Sequence, residues 1–162
     1  MRYYVGVVGP GAGADDEARR VAHDVGLLLA ERGVVVVTGG LDGVMAAAAE
    51  GAQAAGGVVV GLLPGTAHSD GNVHLTVALP TGLGELRNGV VVSSSHALIC
   101  VGGSWGTLSE VALAMRTGIP VVSIAGWHVT DAQRTEQPLL RATTAAQAVD
   151  LALQHAAERV SP

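Results

Sequence analysis

The chain has 162 residues, of which 49% are hydrophobic, 14% are charged and 23 are glycine. This composition is typical of a packed α/β protein and excludes an intrinsically disordered chain. The formal net charge of −5, with only 9 Lys and Arg residues, argues against nonspecific binding to nucleic acid or to anionic membranes. The single cysteine, Cys100, lies in an apolar segment, which predicts a buried thiol in a reducing compartment. No segment has the apolar length of a membrane span, and we expect a soluble, cytoplasmic protein.

Strands and helices alternate along the first half of the chain. Short runs of Val and Leu predict strands, and longer segments with opening acids or many Ala residues predict helices. Glycine loops, Gly9–Gly13 and Gly39–Gly43, follow the first two strands, and a polar loop follows the third. The predicted strands are Tyr3–Val8, Val34–Thr38, Val58–Leu63 and Val73–Leu79, and the predicted helices are Asp15–Arg32 and Val44–Ala55.

The second half continues this alternation with shorter elements. Residues 85–95 are rich in Val, but a parallel sheet needs a crossover at this point, which predicts a helix. A third glycine loop, Gly102–Gly106, follows the next strand, and residues 126–137 are predicted to form a loop. Thr144 is predicted to cap the last helix. The remaining predicted strands are Ala97–Val101, Pro120–Ile124 and Leu139–Ala142, and the remaining helices are Glu85–Ser95, Thr107–Thr117 and Ala145–Arg159.

The order of elements predicts an α/β fold with one doubly wound domain over residues 1–162. A mostly parallel sheet of six to seven strands should carry helices on both faces. The Ala-rich second helix and the scarcity of charge also predict a homo-oligomer, because too little charge is present to cover a monomer's surface. Alternatively, Ala simply allows the helices to pack close to the sheet.

The three glycine loops predict one shared ligand site. Loops that follow parallel strands meet at the carboxyl edge of the sheet, where open α/β folds bind ligands. The third loop also leads into a helix, whose free N–H groups and dipole favour an anion such as phosphate. The chain lacks both a full GxGxxG and a GxxxxGK[ST] pattern, so neither a standard dinucleotide site nor a P-loop is predicted. The candidate phosphate-binding residues are Gly9, Pro10, Gly11, Gly39, Gly40, Gly43, Asn88, Gly102, Gly103, Ser104, Trp105, Gly106 and Thr107.

Arg87, Glu110 and Trp105 each have two interpretations. Arg87 lies in an otherwise apolar segment and is either a bidentate phosphate ligand or a surface arginine. Thr107 and Glu110 form a T-x-x-E pattern, which is typical of a capping box with Thr107 as the N-cap; alternatively, Glu110 faces a bound ligand. Trp105 stands within a glycine loop and is expected to stack on a ligand ring or to cover a subunit contact.

A metal site is not predicted. The loop that holds His68, Asp70 and His74 could be considered for one, but its spacing matches no recognised set of metal ligands.

Five segments between residues 5 and 124 form a specific combination. They are Val7–Gly9, TGGLDGVM at Thr38–Met45, GLLP at Gly61–Pro64, LRN at Leu86–Asn88 and GGSWGTLSE at Gly102–Glu110. The pairing of TGGxxGVM with GGxxGTxxE resembles the Rossmann-like superfamily of Lonely Guy (LOG) proteins. Within it, the chain is most similar to the branch of molybdenum-cofactor carrier proteins and DprA-related uncharacterised bacterial proteins.

The resemblance implies a homodimer, a homotetramer or another assembly that binds a phosphorylated nucleotide or nucleotide-like cofactor. A nucleoside monophosphate or the molybdenum cofactor would be bound, and no other cofactor would be required. In LOG enzymes, an arginine and the glutamate of GTxxE hydrolyse a nucleoside 5′-monophosphate to base and ribose 5-phosphate; these residues would be Arg87 and Glu110.

The chain departs from the LOG enzymes in three places. Val101 stands where those enzymes have Pro, the glycine loop is one residue longer, and Asn88 replaces a Lys. The departures resemble the carrier branch and favour binding over hydrolysis. A lysine decarboxylase activity is not predicted, because the chain contains no lysine that could form a Schiff base.

Overall fold

A computed structural model describes residues 2–130, 132–133 and 139–160, and these residues form seven strands and five α-helices. Residues 131 and 134–138, part of the predicted loop over 126–137, lie outside the described residues. Two short 3-10 turns, His68–Asp70 and Gly84–Leu86, precede β4 and α3. The strands are β1 (Tyr4–Val8), β2 (Val35–Thr38), β3 (Val59–Leu63), β4 (Val77–Pro80), β5 (Ala97–Val101), β6 (Val121–Ile124) and β7 (Leu140–Arg141). The helices are α1 (Asp16–Glu31), α2 (Val44–Ala54), α3 (Arg87–Ser93), α4 (Trp105–Thr117) and α5 (Ala145–Val160).

All seven described strands belong to one parallel sheet with the order β4-β3-β2-β1-β5-β6-β7. The chain builds the sheet outward from β1 to β4 and then returns to place β5 on the other side of β1. The loops that leave β1 and β5 therefore diverge, which opens a crevice at the carboxyl edge. The predicted α/β class, the parallel sheet and the strand number are confirmed.

Two apolar clusters form the core. One joins β1 side chains such as Val5 and Val7 to helices α1, α2 and α5. The other joins Val8 and Cys100 to α3 and α4. Neighbouring residues Val7 and Val8 belong to different clusters because successive side chains of a strand point to opposite faces of the sheet. As predicted, Cys100 is buried; burial raises the pKa of its thiol to about 12, which keeps the thiol protonated.

Helices α1 and α2 pack closely because each carries a glycine at the contact. A Cβ atom at Gly51 would collide with the carbonyl oxygen of His23, and one at Gly26 would collide with the carbonyl oxygen of Ala48. Gly51→Ala should therefore lower the free energy of unfolding by about 1–3 kcal/mol in chemical denaturation. Gly89→Ala is the matched control, since a Cβ there meets nothing within 4 Å and alanine favours a helix. Equal stability of the two variants would contradict this packing.

Most elements differ from the prediction by at most one residue at each end, and larger differences occur at β4, α3 and α4. The strand predicted over Val73–Leu79 is β4, which begins only at Val77. The delay follows from Asn72, whose Nδ2 donates to the Gly40 and Leu41 carbonyls and whose Oδ1 accepts the His74 N–H, holding residues 72–74 in a turn. The predicted strand Leu139–Ala142 contracts to Leu140–Arg141.

The two helices beside the crevice also differ. The helix predicted over Glu85–Ser95 opens as the 3-10 turn and becomes α-helical only at Arg87. It ends at Ser93, where the Ser93 and Ser95 hydroxyls donate to the carbonyls of Val90 and Val91. Helix α4 begins at Trp105 rather than Thr107.

The predicted cap of α5 is confirmed, because the Thr144 hydroxyl accepts the Gln147 N–H at 3.2 Å. None of the described helices combines the length and the apolarity that crossing a membrane requires.

Candidate functional site

A polar crevice of about 210 Å³ lies at the carboxyl edge of the sheet, where β1 and β5 diverge. The loops after β1, β2 and β5 and the first residues of α3 all reach it. The lining residues are Val8, Gly9, Gly11, Gly39, Met45, Glu85, Arg87, Asn88, Ser104, Gly106, Thr107 and Glu110. The three glycine loops therefore converge on one crevice, as the strand pattern predicts.

Some of the predicted site residues have packing roles beside the crevice instead of lining it. Gly43 lies against the Pro10 and Gly11 carbonyls, and the Pro10 carbonyl accepts the first N–H of α2, from Val44, at 3.0 Å. The N-terminus of α2 is thus occupied by the first loop. Gly40 adopts a φ of +75° and lies against Gly61 in β3. Pro10, Gly40, Gly43, Gly102, Gly103 and Trp105 do not line the crevice.

Arg87 is the main positive charge of the crevice. Its side chain is only 7% exposed, and its Nε has no hydrogen-bond partner among the described residues. Gly39 makes room for it, because a Cβ atom there would collide with the guanidinium. Burial lowers the pKa of Arg87, and the negative charges of Glu110 and Glu85 oppose the shift; the guanidinium still remains charged. A buried, charged donor without a partner is costly and marks a site that an anion can complete.

Glu110 faces Arg87 across the same crevice and is 6% exposed. Burial raises the pKa of its carboxyl to about 7, although the Arg87 charge opposes the rise. The two side chains form no ion pair within 4.0 Å. A space therefore separates a fixed cation from a carboxyl group that titrates near neutral pH.

The capping-box interpretation of Thr107 and Glu110 is wrong. Ser104 caps α4: its backbone is extended (φ −139°, ψ 172°) and its hydroxyl accepts the Thr107 N–H at 3.3 Å. The helix can start two residues earlier because Ser104, which carries a hydroxyl, precedes Trp105. Glu110 then falls in the second turn, too far along to return to the cap, and its side chain faces the crevice.

Asn88 positions the first turn of α4 relative to α3. Its Nδ2 donates to the Ser109 hydroxyl at 3.1 Å, and this hydroxyl donates to the Gly106 carbonyl at 2.6 Å. Separately, the Gly106 N–H lies in the first turn of α4 and has no acceptor in the part of the chain that the structure describes. The N-terminus of α4 therefore presents a free donor beside Arg87.

Three residues that line the crevice are not among the predicted site residues: Val8, Met45 and Glu85. Met45 ends the TGGLDGVM segment, and Glu85 lies two residues before Arg87, so proximity to those motifs was the available signal. His74 binds the Gln53 amide oxygen through Nδ1 at 2.8 Å. Among the described residues, no group of three or more His, Cys, Asp and Glu side chains is arranged to hold a metal ion.

The sequence model of the SLOG cluster4 family matches residues 2–158. The chain belongs to this family. A relative of this SLOG cluster4 chain, an uncharacterized protein of Archaeoglobus fulgidus, is 45% identical over 120 residues, which cover 74% of this chain and 78% of the relative.

Solved structures similar to this SLOG cluster4 chain include a molybdenum cofactor binding protein and a molybdenum cofactor carrier protein. The molybdenum cofactor binding protein of Rippkaea orientalis is 31% identical, with a TM-score of 0.85 and coverage of 95% of this chain and 97% of that one. The molybdenum cofactor carrier protein of Chlamydomonas reinhardtii is also 31% identical, with a TM-score of 0.83 and coverage of 97% and 99%. The resemblance stated from the motifs is confirmed.

DNA processing protein A of Streptococcus pneumoniae shares the fold at 17% identity, with a TM-score of 0.71 and coverage of 93% of this chain and 61% of that one.

Proposed function

We propose that this protein binds a phosphorylated nucleotide-like cofactor, of which molybdopterin is the main candidate, with the phosphate against Arg87. The observation that carries the proposal is Arg87, a buried cation that lines the crevice and whose Nε has no hydrogen-bond partner among the described residues. Guanidinium groups bind phosphate in two-pronged geometry, and a phosphate in the crevice would neutralise the buried charge of Arg87. The molybdenum cofactor proteins of similar structure support the choice of ligand.

The remaining groups of the crevice fit a phosphate monoester. The free Gly106 N–H and the positive end of the α4 dipole lie on the side of Ser104 and Thr107. Glu110 would repel an anion when ionised, but with a pKa of about 7 a substantial fraction of the molecules carries a protonated carboxyl at neutral pH. A protonated carboxyl donates a hydrogen bond, so the crevice offers donors on both sides of a phosphate.

Co-purification tests the choice of ligand. The protein and its Arg87→Gln variant are produced in a bacterium that makes molybdopterin, and the pterin released by oxidation is measured by its fluorescence. We expect pterin with the wild type and about a tenfold or greater loss in the variant, since one charge-assisted contact is removed. Arg116→Gln, an exposed arginine of α4, is the control and should retain the pterin. Absence of pterin from all three proteins, or equal amounts, would contradict a molybdopterin carrier.

A second candidate function is hydrolysis of nucleoside 5′-monophosphates to base and ribose 5-phosphate. The observation that favours it is the buried Glu110 carboxyl, which titrates near neutral pH and lies opposite Arg87. Cleavage of the N-ribosidic bond develops positive charge on the ribose, which a carboxylate stabilises while it takes a proton from the attacking water. The proton then goes to the departing base.

Base release distinguishes the two candidates. A panel of nucleoside 5′-monophosphates, including N6-modified adenylates, is incubated with the wild type and Glu110→Gln, and free base is measured by chromatography. Release that disappears in the variant would establish a hydrolase. Absence of release from every nucleotide would leave the binding function alone. Assembly as a homodimer or homotetramer stays a prediction, which sedimentation would test on the same samples.

A further inference from the structure

Two indoles form a pair beside the crevice. The rings of Trp105 and Trp127 lie 5.4 Å apart between centroids, at an angle of 42°. Trp127 is held by a hydrogen bond from its Nε1 to the Ser104 carbonyl at 3.1 Å, and it lies against Gly103, where a Cβ would come within 2.8 Å of the same Nε1. Gly103 therefore gives Trp127 the room to lie over the glycine loop and to support Trp105 on one side.

The other side of Trp105 is open. The side chain is 79% exposed, which is unusual for the largest apolar side chain, because burial of an aromatic ring is favourable. Trp105 is also the first residue of α4, and the residues on both sides of it, Ser104 and Gly106, line the crevice. Because neighbouring Cα atoms lie about 3.8 Å apart, the backbone of Trp105 lies at the rim of the crevice, and its indole extends from there to Trp127.

The crevice is too small for a complete nucleotide-like ligand. Its volume of about 210 Å³ is below the ~300–1,000 Å³ of common small-molecule sites. A phosphate and its attached sugar-sized group fill such a space, so a ring system joined to them must extend past the rim. The Trp105–Trp127 pair begins at a residue whose two chain neighbours line the crevice.

We propose that Trp105, supported by Trp127, is a stacking surface for the planar nitrogen heterocycle, purine or pterin, of the ligand whose phosphate lies at Arg87. The inference rests on the proposed function, because it assumes the phosphate position. A rigid indole with one free face suits a flat ring. A subunit contact is the competing role, because Leu83 and Leu86, which lie close in sequence to Arg87, and Leu113 of α4 are also exposed.

The chain holds two tryptophans, so its tryptophan fluorescence reports on this pair alone. The test compares guanosine 5′-monophosphate with ribose 5-phosphate, which has the same phosphate but no ring, in calorimetric and fluorescence titrations at matched salt. Stacking on an aromatic side chain should make the nucleotide bind about tenfold or more tightly and quench the emission, whereas ribose 5-phosphate should leave the emission nearly unchanged. Chromatography after each titration confirms that the nucleotide is intact.

Variants separate the ring site from the phosphate site. Trp105→Ala should remove the advantage of the nucleotide and leave the affinity for ribose 5-phosphate unchanged, while Trp105→Phe should keep part of that advantage. Val73→Ala, an exposed apolar control remote from the crevice, should keep all of it.

Three results would overturn the stacking surface. Equal affinity of both ligands for the wild type, with unquenched emission, would refute it and leave the phosphate site intact. A Trp105→Ala variant that changes only the sedimentation coefficient would assign the indole to a subunit contact. If neither ligand binds more tightly to the wild type than to Arg87→Gln, the proposed function fails and the stacking surface fails with it.

Discussion

Replacing Arg87 with glutamine is expected to weaken the binding of inorganic phosphate and of ribose 5-phosphate by about 10- to 100-fold, measured by calorimetry at fixed ionic strength. Affinity falls because the substitution removes the buried positive charge of the crevice. The Nε of Arg87 has no hydrogen-bond partner among the described residues. The same substitution should leave the free energy of unfolding of the ligand-free protein unchanged or higher. A buried charge without a hydrogen-bond partner costs stability, and glutamine removes that charge.

This combination of weaker binding with undiminished stability separates a binding residue from a structural one. If Arg87 served the fold, its loss would lower stability by several kcal/mol, as it does when one partner of a buried pair is removed. Arg116→Gln, which changes the net charge equally at an exposed position of α4, should alter neither quantity. Phosphate affinity that is equal in both variants would contradict the assignment of Arg87.

Glu110→Gln is expected to change how stability depends on pH. The pKa of this carboxyl rises from an ordinary value of 4.5 to about 7 in the folded protein, mainly through burial. The folded state therefore binds the proton more tightly than the unfolded state, and wild-type stability falls as the pH rises through this window. Between about pH 5 and pH 8, the wild type should lose about 2–3 kcal/mol relative to Glu110→Gln, measured by denaturant unfolding at each pH.

The matched control for this pH effect is Glu50→Gln, which replaces an exposed glutamate of α2. Its stability should parallel that of the wild type over the same pH range. Parallel profiles for the wild type and Glu110→Gln would mean that the carboxyl titrates in its ordinary range and is solvated. A profile in which Glu110→Gln is the less stable variant above pH 7 would restore a capping role for Glu110, which the Ser104 cap otherwise excludes.

The sheet and the convergence of the loops could be predicted from the sequence because both depend on local patterns. Apolar runs such as Val34–Thr38 have the length of buried strands, and the glycines that follow them end each strand. Parallel strands place those ends at one edge, so the crevice follows from topology without knowledge of side-chain contacts. The strand β4 was misplaced because its start depends on Asn72, which bonds to carbonyls of a loop more than thirty residues earlier.

The different structural roles of the glycines could not be predicted from the sequence. Gly39 and Gly43 belong to the same loop, yet one makes room for the Arg87 guanidinium and the other lies against the backbone of the first loop. Which role a glycine takes depends on what approaches it in three dimensions. The T-x-x-E pattern gave the wrong N-cap for a related reason. Ser104 and Thr107 both carry a hydroxyl, and the extended backbone of Ser104 makes Ser104 the cap of α4.

The contact of Trp127 with Trp105 could not be predicted from the sequence either. It lies in a loop with no motif, and its contact with Trp105 spans 22 positions of the chain. Its role became visible only through the hydrogen bond to the Ser104 carbonyl and through Gly103, which leaves space for the ring.

The most direct test of the phosphate site is a crystal structure of the protein with ribose 5-phosphate at neutral pH. A phosphate oxygen should lie within about 3 Å of a nitrogen of the Arg87 guanidinium, with a second oxygen near the Gly106 N–H at the start of α4. A phosphate bound elsewhere, or an empty crevice in which the Arg87 Nε donates to a protein acceptor, would contradict the proposed site.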